Sequence, residues 1–180
     1  LVYVPSFWVR HIMSKHSKEI AELPGTGGEL AKHLIERFEL TGITVEEAAP
    51  NTDHFDPSGP VVRLSPDNFN GRSLTAVAVA AHEVGHAMQF HRGEKIFELR
   101  KRYLPLATKL NRVGVVIMMT IPFIALLIRM PLVIGGVIAL SLLLQLAGAF
   151  AYLIILPEEW DASFNKALPV LIEGEYIEPA

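Results

Sequence analysis

The sequence predicts a mainly α fold with a small β element and a transmembrane helical hairpin. Three observations carry this: a long uncharged stretch near the C-terminus, an alanine-rich helical segment bearing two histidines four residues apart, and a few short β-branched segments between turn residues. The chain has 180 residues, of which 51% are hydrophobic and 19% charged, with a mean hydropathy of +0.34. That composition excludes a disordered chain and is poor in charge for a soluble domain. A net charge of -3 provides no global field for nucleic acid, so none is expected as a partner. Cysteine is absent, which excludes a disulfide scaffold, a thiolate metal site and a cysteine nucleophile. Any metal must be held by His, Asp or Glu.

Leu1–Val9 is apolar and aromatic, with Tyr3, Phe7 and Trp8, and turns basic at Arg10. It is too short to span a bilayer and reads as the tail of an anchor or an interfacial belt. Leu1 is not a methionine, so the true N-terminus is expected to lie further upstream. Pro24-Gly25-Thr26-Gly27-Gly28 is a turn cluster. Thr26 or Gly27 can cap a helix from Glu29 to about Glu39, with Gly42 as its stop. Ile43–Val45 alternates like a short strand. Val61, Val62, Arg63 and Leu64, flanked by prolines, read as an edge strand and hence as a backbone partner for an extended substrate. Ser73 caps a helix from about Leu74 to Phe90.

That helix contains His82-Glu83-Val84-Gly85-His86, an HExxH motif. Residues i and i+4 share a helix face, so both imidazoles can converge on one ion. Glu83 is then placed to take a proton from a metal-activated water. Ala76, Val77, Val79, Ala80 and Ala81 precede the motif and lead the helix into a packed interior, where bare histidines and a glutamate would be costly. His91 falls off the required spacing and reads as a surface residue. His11, His16 and His33 carry no spacing signal.

Val113–Ile128 and Leu132–Leu156 are apolar runs of 16 and 25 residues, separated by Arg129-Met130-Pro131, which reads as a tight turn. A bilayer core needs about 20 helical residues, so the second run spans outright. The first is slightly short, is expected to kink at Pro122, and is extended by Arg129 snorkelling. Gln145 and Ser141 are expected to join the two helices. Arg92, Lys95, Arg100, Lys101, Arg102, Lys109 and Arg112 precede the first span, which puts that side in the cytoplasm.

A catalytic tetrahedral metal site needs a third protein ligand and one open position. Two crossings return the chain to its starting side, so an acid after Leu156 can meet the histidines. Glu159 is the favoured candidate, on a helix starting near Pro157 that would put Ser163 on the same face. Glu158 is the rival and Asp161 a weaker one. Asp53-His54-Phe55-Asp56-Pro57 reads first as an Asx turn, with His54 as a candidate to orient a ligating imidazole. His54 and Tyr176 are the only guesses for an oxyanion donor. The domain division expected is residues 1–112 and 157–180 as two parts of one catalytic domain, with the hairpin 113–156 between them.

Several segments together resemble the YugP-like neutral zinc metallopeptidases of bacterial membranes. They are Pro24–Ala31, Asp53–Pro57, Val62–Pro66, Asn70–Ser73, Ala78–Ala87 and Leu156–Ser163. The layout is also similar to the HtpX-type gluzincins, in which a membrane hairpin separates HExxH from a glutamate in a Glu-x-x-Ala-Asp pattern. Glu159, Ala162 and Ser163 fit that frame with serine in place of the acid. The resemblance implies a zincin-like metallopeptidase core (HExxH helix plus edge strand) and one zinc ion per chain, held by His82, His86 and Glu159. It implies Glu83 as the catalytic residue, with His54, Asp161 and Ser163 as candidates for the shell around the ligands. It also implies a zinc-dependent endopeptidase of the bacterial cell membrane, with more hydrophobic sequence at both ends. The flanking charge and the two crossings put the site of such a multi-pass protein at the cytoplasmic face, a location that suits peptides or membrane-protein segments as substrates. The competing readings are a non-catalytic zinc-binding membrane scaffold, and a soluble chain that uses its apolar hairpin to oligomerise.

Overall fold

The computed structural model describes the backbone over residues 3–128 and 130–176, and side chains over 7–128 and 130–176. Leu1, Val2, Arg129 and the last four residues lie outside it, so the readings placed on Leu1 and on the Arg129 turn do too. Helix α1 (Tyr3–Lys15) comes first, followed by α2 (Gly27–Arg37), β1 (Thr44–Glu47), β2 (His54–Asp56) and β3 (Val61–Leu64). A short α3 (Pro66–Phe69), then α4 (Leu74–His91), α5 (Lys95–Leu127) and α6 (Pro131–Trp160) follow. A π-helix, Asp161–Ala167, continues α6 and passes into α7 (Leu168–Glu173). The fold is mainly helical with one small sheet.

The chain divides into two compact units, residues 1–94 with 160–180, and residues 95–159. In the first, α2 is fixed by a capping box. Thr26 Oγ1 accepts from the Glu29 N–H (3.2 Å) and the Glu29 carboxylate accepts from the Thr26 N–H (2.8 Å). The helix stops earlier than Gly42: it caps at Phe38, Glu39 turns left-handed (φ 53°), and Gly42 (φ 81°) serves the turn before β1. On α4, Ser73 Oγ accepts from the Ala76 N–H at 3.1 Å. Its Ala76, Val77, Ala80, Ala81 and Val84 are buried with Leu30, Ala31 and Leu34 of α2.

The sheet runs in the order β1-β3-β2, with β1 parallel and β2 antiparallel to β3. This corrects the edge-strand reading of Val61, Val62, Arg63 and Leu64. Pro60 and Pro66 lie outside the strand, so neither removes a ladder donor, and Val61, Val62 and Leu64 are almost fully buried. Both backbone edges of β3 are taken, so a substrate strand cannot add there. Phe55 of β2 packs its ring on Phe90 of α4, with centroids 5.3 Å apart, and ties the outer strand to the motif helix. Asp53 secures the entry to β2 by accepting from the Ser65 N–H (2.7 Å), the Ser65 hydroxyl (2.9 Å) and Asn68 Nδ2 (3.0 Å).

In the second unit, α5 and α6 pack antiparallel. A Cβ on Gly114 would stand 3.0 Å from the Ser141 carbonyl, and one on Gly148 would stand 3.1 Å from the Ala107 carbonyl. These glycines let the two backbones approach closely. Ser141 Oγ donates to the Gly114 carbonyl (2.9 Å) and Gln145 Nε2 donates to Ser141 Oγ (3.2 Å), so the polar side chains join the helices. Both α5 and the α6 run are long and apolar enough to cross a membrane. Phe123 is 70% exposed, Leu127 82% and Leu132 88%, which is what a lipid-facing surface needs. The helix α5 begins at Lys95, well before the apolar run, and its basic segment lies in the second unit. It runs through Pro105 and Pro122 as one element. Likewise no helix starts at Pro157, which lies inside α6.

Candidate metal centre

The helix α4 carries His82 and His86 one turn apart, with Glu83 next to His82. His82 is half-buried, while Glu83 and His86 are buried. The His82 and His86 Nε2 atoms are 3.1 Å apart, with their rings edge-to-face. Two nitrogens bound to one tetrahedral zinc sit about 3.3 Å apart, given bonds of about 2.0–2.1 Å. The pair is thus set at nearly the separation that a shared ion requires. Among the described residues, one ligand atom each from His82, His86 and Glu159 lies within 4.8 Å of the others. Two imidazoles and a carboxylate, with no thiolate, form the donor set of a catalytic zinc site.

Glu159 stands at the end of α6, one residue before the first unit resumes at Trp160. The Arg100 guanidinium pairs with Glu159 and lies 3.3 Å from Glu158. Glu158, the rival ligand, is fully buried beside Arg100, outside the three-residue group.

The π-helix packs on the motif helix at Gly85. A Cβ there would lie 2.8 Å from the Ala162 carbonyl, so only glycine admits that backbone. The approach brings Ser163 Oγ to 3.0 Å from His82 Nδ1. On the other imidazole, His86 Nδ1 lies 3.2 Å from Gln89 Oε1, and Gln89 Nε2 donates to Asp161 Oδ2 at 2.9 Å. Asp161 also accepts from Lys166 and from Asn165 Nδ2 (2.9 Å), and Lys166 reaches Glu94 at 3.0 Å. Burial pushes the Asp161 carboxyl up, but hydrogen bonds from Lys166, Gln89 and Asn165 outweigh it and hold it at about 2.

The other expected positions fall elsewhere. His54 uses Nδ1 for the Thr52 carbonyl at 2.7 Å, within its own loop. Asp56 makes the Asx turn, accepting from the Ser58 N–H at 2.9 Å, and takes Arg63 at 2.5 Å. The Arg63 hydrogen bond holds the Asp56 carboxyl below its usual range, and the same bond raises Arg63. Arg63 therefore serves the sheet. Tyr176 lines a cleft of about 340 Å³ with Glu29, His33 and Arg72. His91 is exposed and meets Thr41 Oγ1 at 3.4 Å. Sequence reasoning missed Gln89, Lys166, Glu94 and Arg100. The only available signal was that Gln89 follows His86 by three residues, on the same face.

Two imidazoles one helical turn apart and a glutamate carboxylate make a group that could hold a metal ion. The chain belongs to the family described as "putative neutral zinc metallopeptidase", whose model matches residues 1–180. It is also similar to the "Putative membrane protease YugP" of Bacillus subtilis (strain 168), with 34% identity over 176 residues. That match covers 94% of this chain and 74% of the relative. No solved structure matches it.

Proposed function

We propose that this chain is a membrane-embedded zinc metalloendopeptidase. The 3.1 Å approach of the His82 and His86 Nε2 atoms beside Glu83 and Glu159 is the observation that carries the reading. The two imidazoles and the Glu159 carboxylate would hold the metal, leaving one position open in the gluzincin arrangement. When bound, zinc polarises a scissile carbonyl and acidifies a water.

The chain's own residues do the rest. The Glu83 carboxylate accepts the proton of the attacking water and returns it to the leaving amine. Its burial on α4 excludes bulk solvent from that proton path. Ser163 lies on the Nδ1 side of His82, so its Nε2 would be free to hold a metal. With both edges of β3 taken, an extended peptide can pair with β2, the strand packed on α4 through Phe55 and Phe90.

The α5/α6 hairpin crosses the bilayer twice, with the basic end of α5 on the cytoplasmic side. The pairing of Arg100 with Glu158 and Glu159 supports this, because it brings the two ends of the hairpin together. Substrates at such an interface are unfolded or membrane-protein segments. The test is Glu83→Gln in the full chain. Zinc content should remain at the parent level, while cleavage of a generic protein substrate falls by about 10²–10⁴-fold. Persistent proteolysis in that variant would remove the mechanism.

A further inference from the structure

The hydrogen-bond chain behind His86 has a direction that can be read from its chemistry. The Gln89 amide turns its NH2 toward Asp161, with Nε2 donating to Oδ2 at 2.9 Å. The Gln89 carbonyl oxygen then faces His86 Nδ1, 3.2 Å away. A carbonyl oxygen cannot donate, so Nδ1 carries a proton toward it, and in the neutral ring Nε2 then keeps its lone pair on the side facing His82. The far end is fixed as well. Lys166, 8% exposed, clamps Asp161 against Glu94. Gln89 is fully buried, so water does not compete for its amide.

We propose that Gln89 is a positioning residue for the metal centre. It relays the orientation of the Asp161 carboxylate to His86 and locks the Nδ1-protonated tautomer that presents Nε2 for ligation.

The proposal rests on the metal reading above, and the experiment separates the two. The full chain in detergent is titrated with zinc against a fluorescent chelator, as the parent, His86→Ala, the near-isosteric Gln89→Met and the double variant Gln89→Glu/Asp161→Asn. The double variant exchanges amide and carboxylate but keeps an acceptor toward Nδ1. Gln89→Met should bind zinc about 10–100-fold more weakly, while the metal-free protein melts at the parent temperature. The double variant should recover most of the affinity. Parent-like zinc affinity in Gln89→Met, or a double variant as weak as Gln89→Met, would overturn the proposal while the His86→Ala loss upheld the metal site. Equal binding by the parent and His86→Ala would remove the metal site and the proposal with it. A second readout needs no folded variant at position 89. Imidazole 15N shifts of the metal-free parent, with His86 assigned by its loss in His86→Ala, should show the proton on Nδ1. A proton on Nε2 would refute the relay.

Discussion

The Ser163 hydroxyl meets His82 Nδ1 at 3.0 Å. A hydroxyl gives the ring less basicity than a carboxylate does. Ser163→Ala is expected to lower zinc affinity by about tenfold, at the weak end of such effects, and Ser163→Asp to recover it. Chelator competition measures both. Away from the metal centre, Asp56 and Arg63 make a separable pair on β2 and β3. The Asp56 pKa lies below its ordinary value of 3.8, so the pair's stabilisation is complete above that value and fades as pH falls through the lowered one. The gap in urea midpoint between the parent and Arg63→Met should be constant near neutrality and narrow in acid. Legibility at this scale followed chemistry. The group His82, His86 and Glu159 could be named as candidate ligands because metal-ligating side chains are few and the histidines' spacing is constrained. Gln89 and Lys166 could not, because a glutamine or lysine is informative only once its partners are known.

At the scale of elements, the packing of the π-helix on α4 decides where Asp161 and Ser163 stand. Gly85→Ala would drive a methyl into the Ala162 carbonyl, and overpacking of this kind costs about 1–3 kcal/mol. Thermal melting should show the loss, and zinc affinity should fall with it because the Ser163 contact opens. Thr26→Ala removes one arm of the α2 capping box and should cost about 1 kcal/mol with zinc affinity unchanged. The capped helices α2 and α4 were readable because Thr26, Glu29 and Ser73 act locally. The π-helix was not readable, since Asp161–Ala167 carries no local signal that distinguishes i+5 from i+4 bonding. The place of Val61–Leu64 in the sheet was also hidden. Flanking prolines mark the ends of a strand but say nothing of its neighbours, and the strand order rests on the long-range pairing of β1 and β2 with β3.

For the whole molecule, the account requires a hairpin that lies in lipid and a chain that returns to the motif helix. Two helices long and apolar enough to cross a membrane were legible from length and charge alone, because few soluble helices reach that length without a polar face. The start of the first was not, since the basic opening of α5 is helical but not apolar. Carbonate washing of membranes should leave the chain in the pellet, and release to the supernatant would contradict the spanning hairpin. The central claim is that an acid beyond that hairpin completes the metal centre. Metal analysis of the purified parent, His82→Ala, Glu158→Gln and Glu159→Gln tests it most directly. The parent and Glu158→Gln should each retain about one zinc per chain, and His82→Ala and Glu159→Gln should lose it. Full zinc occupancy and parent affinity in Glu159→Gln would contradict the account.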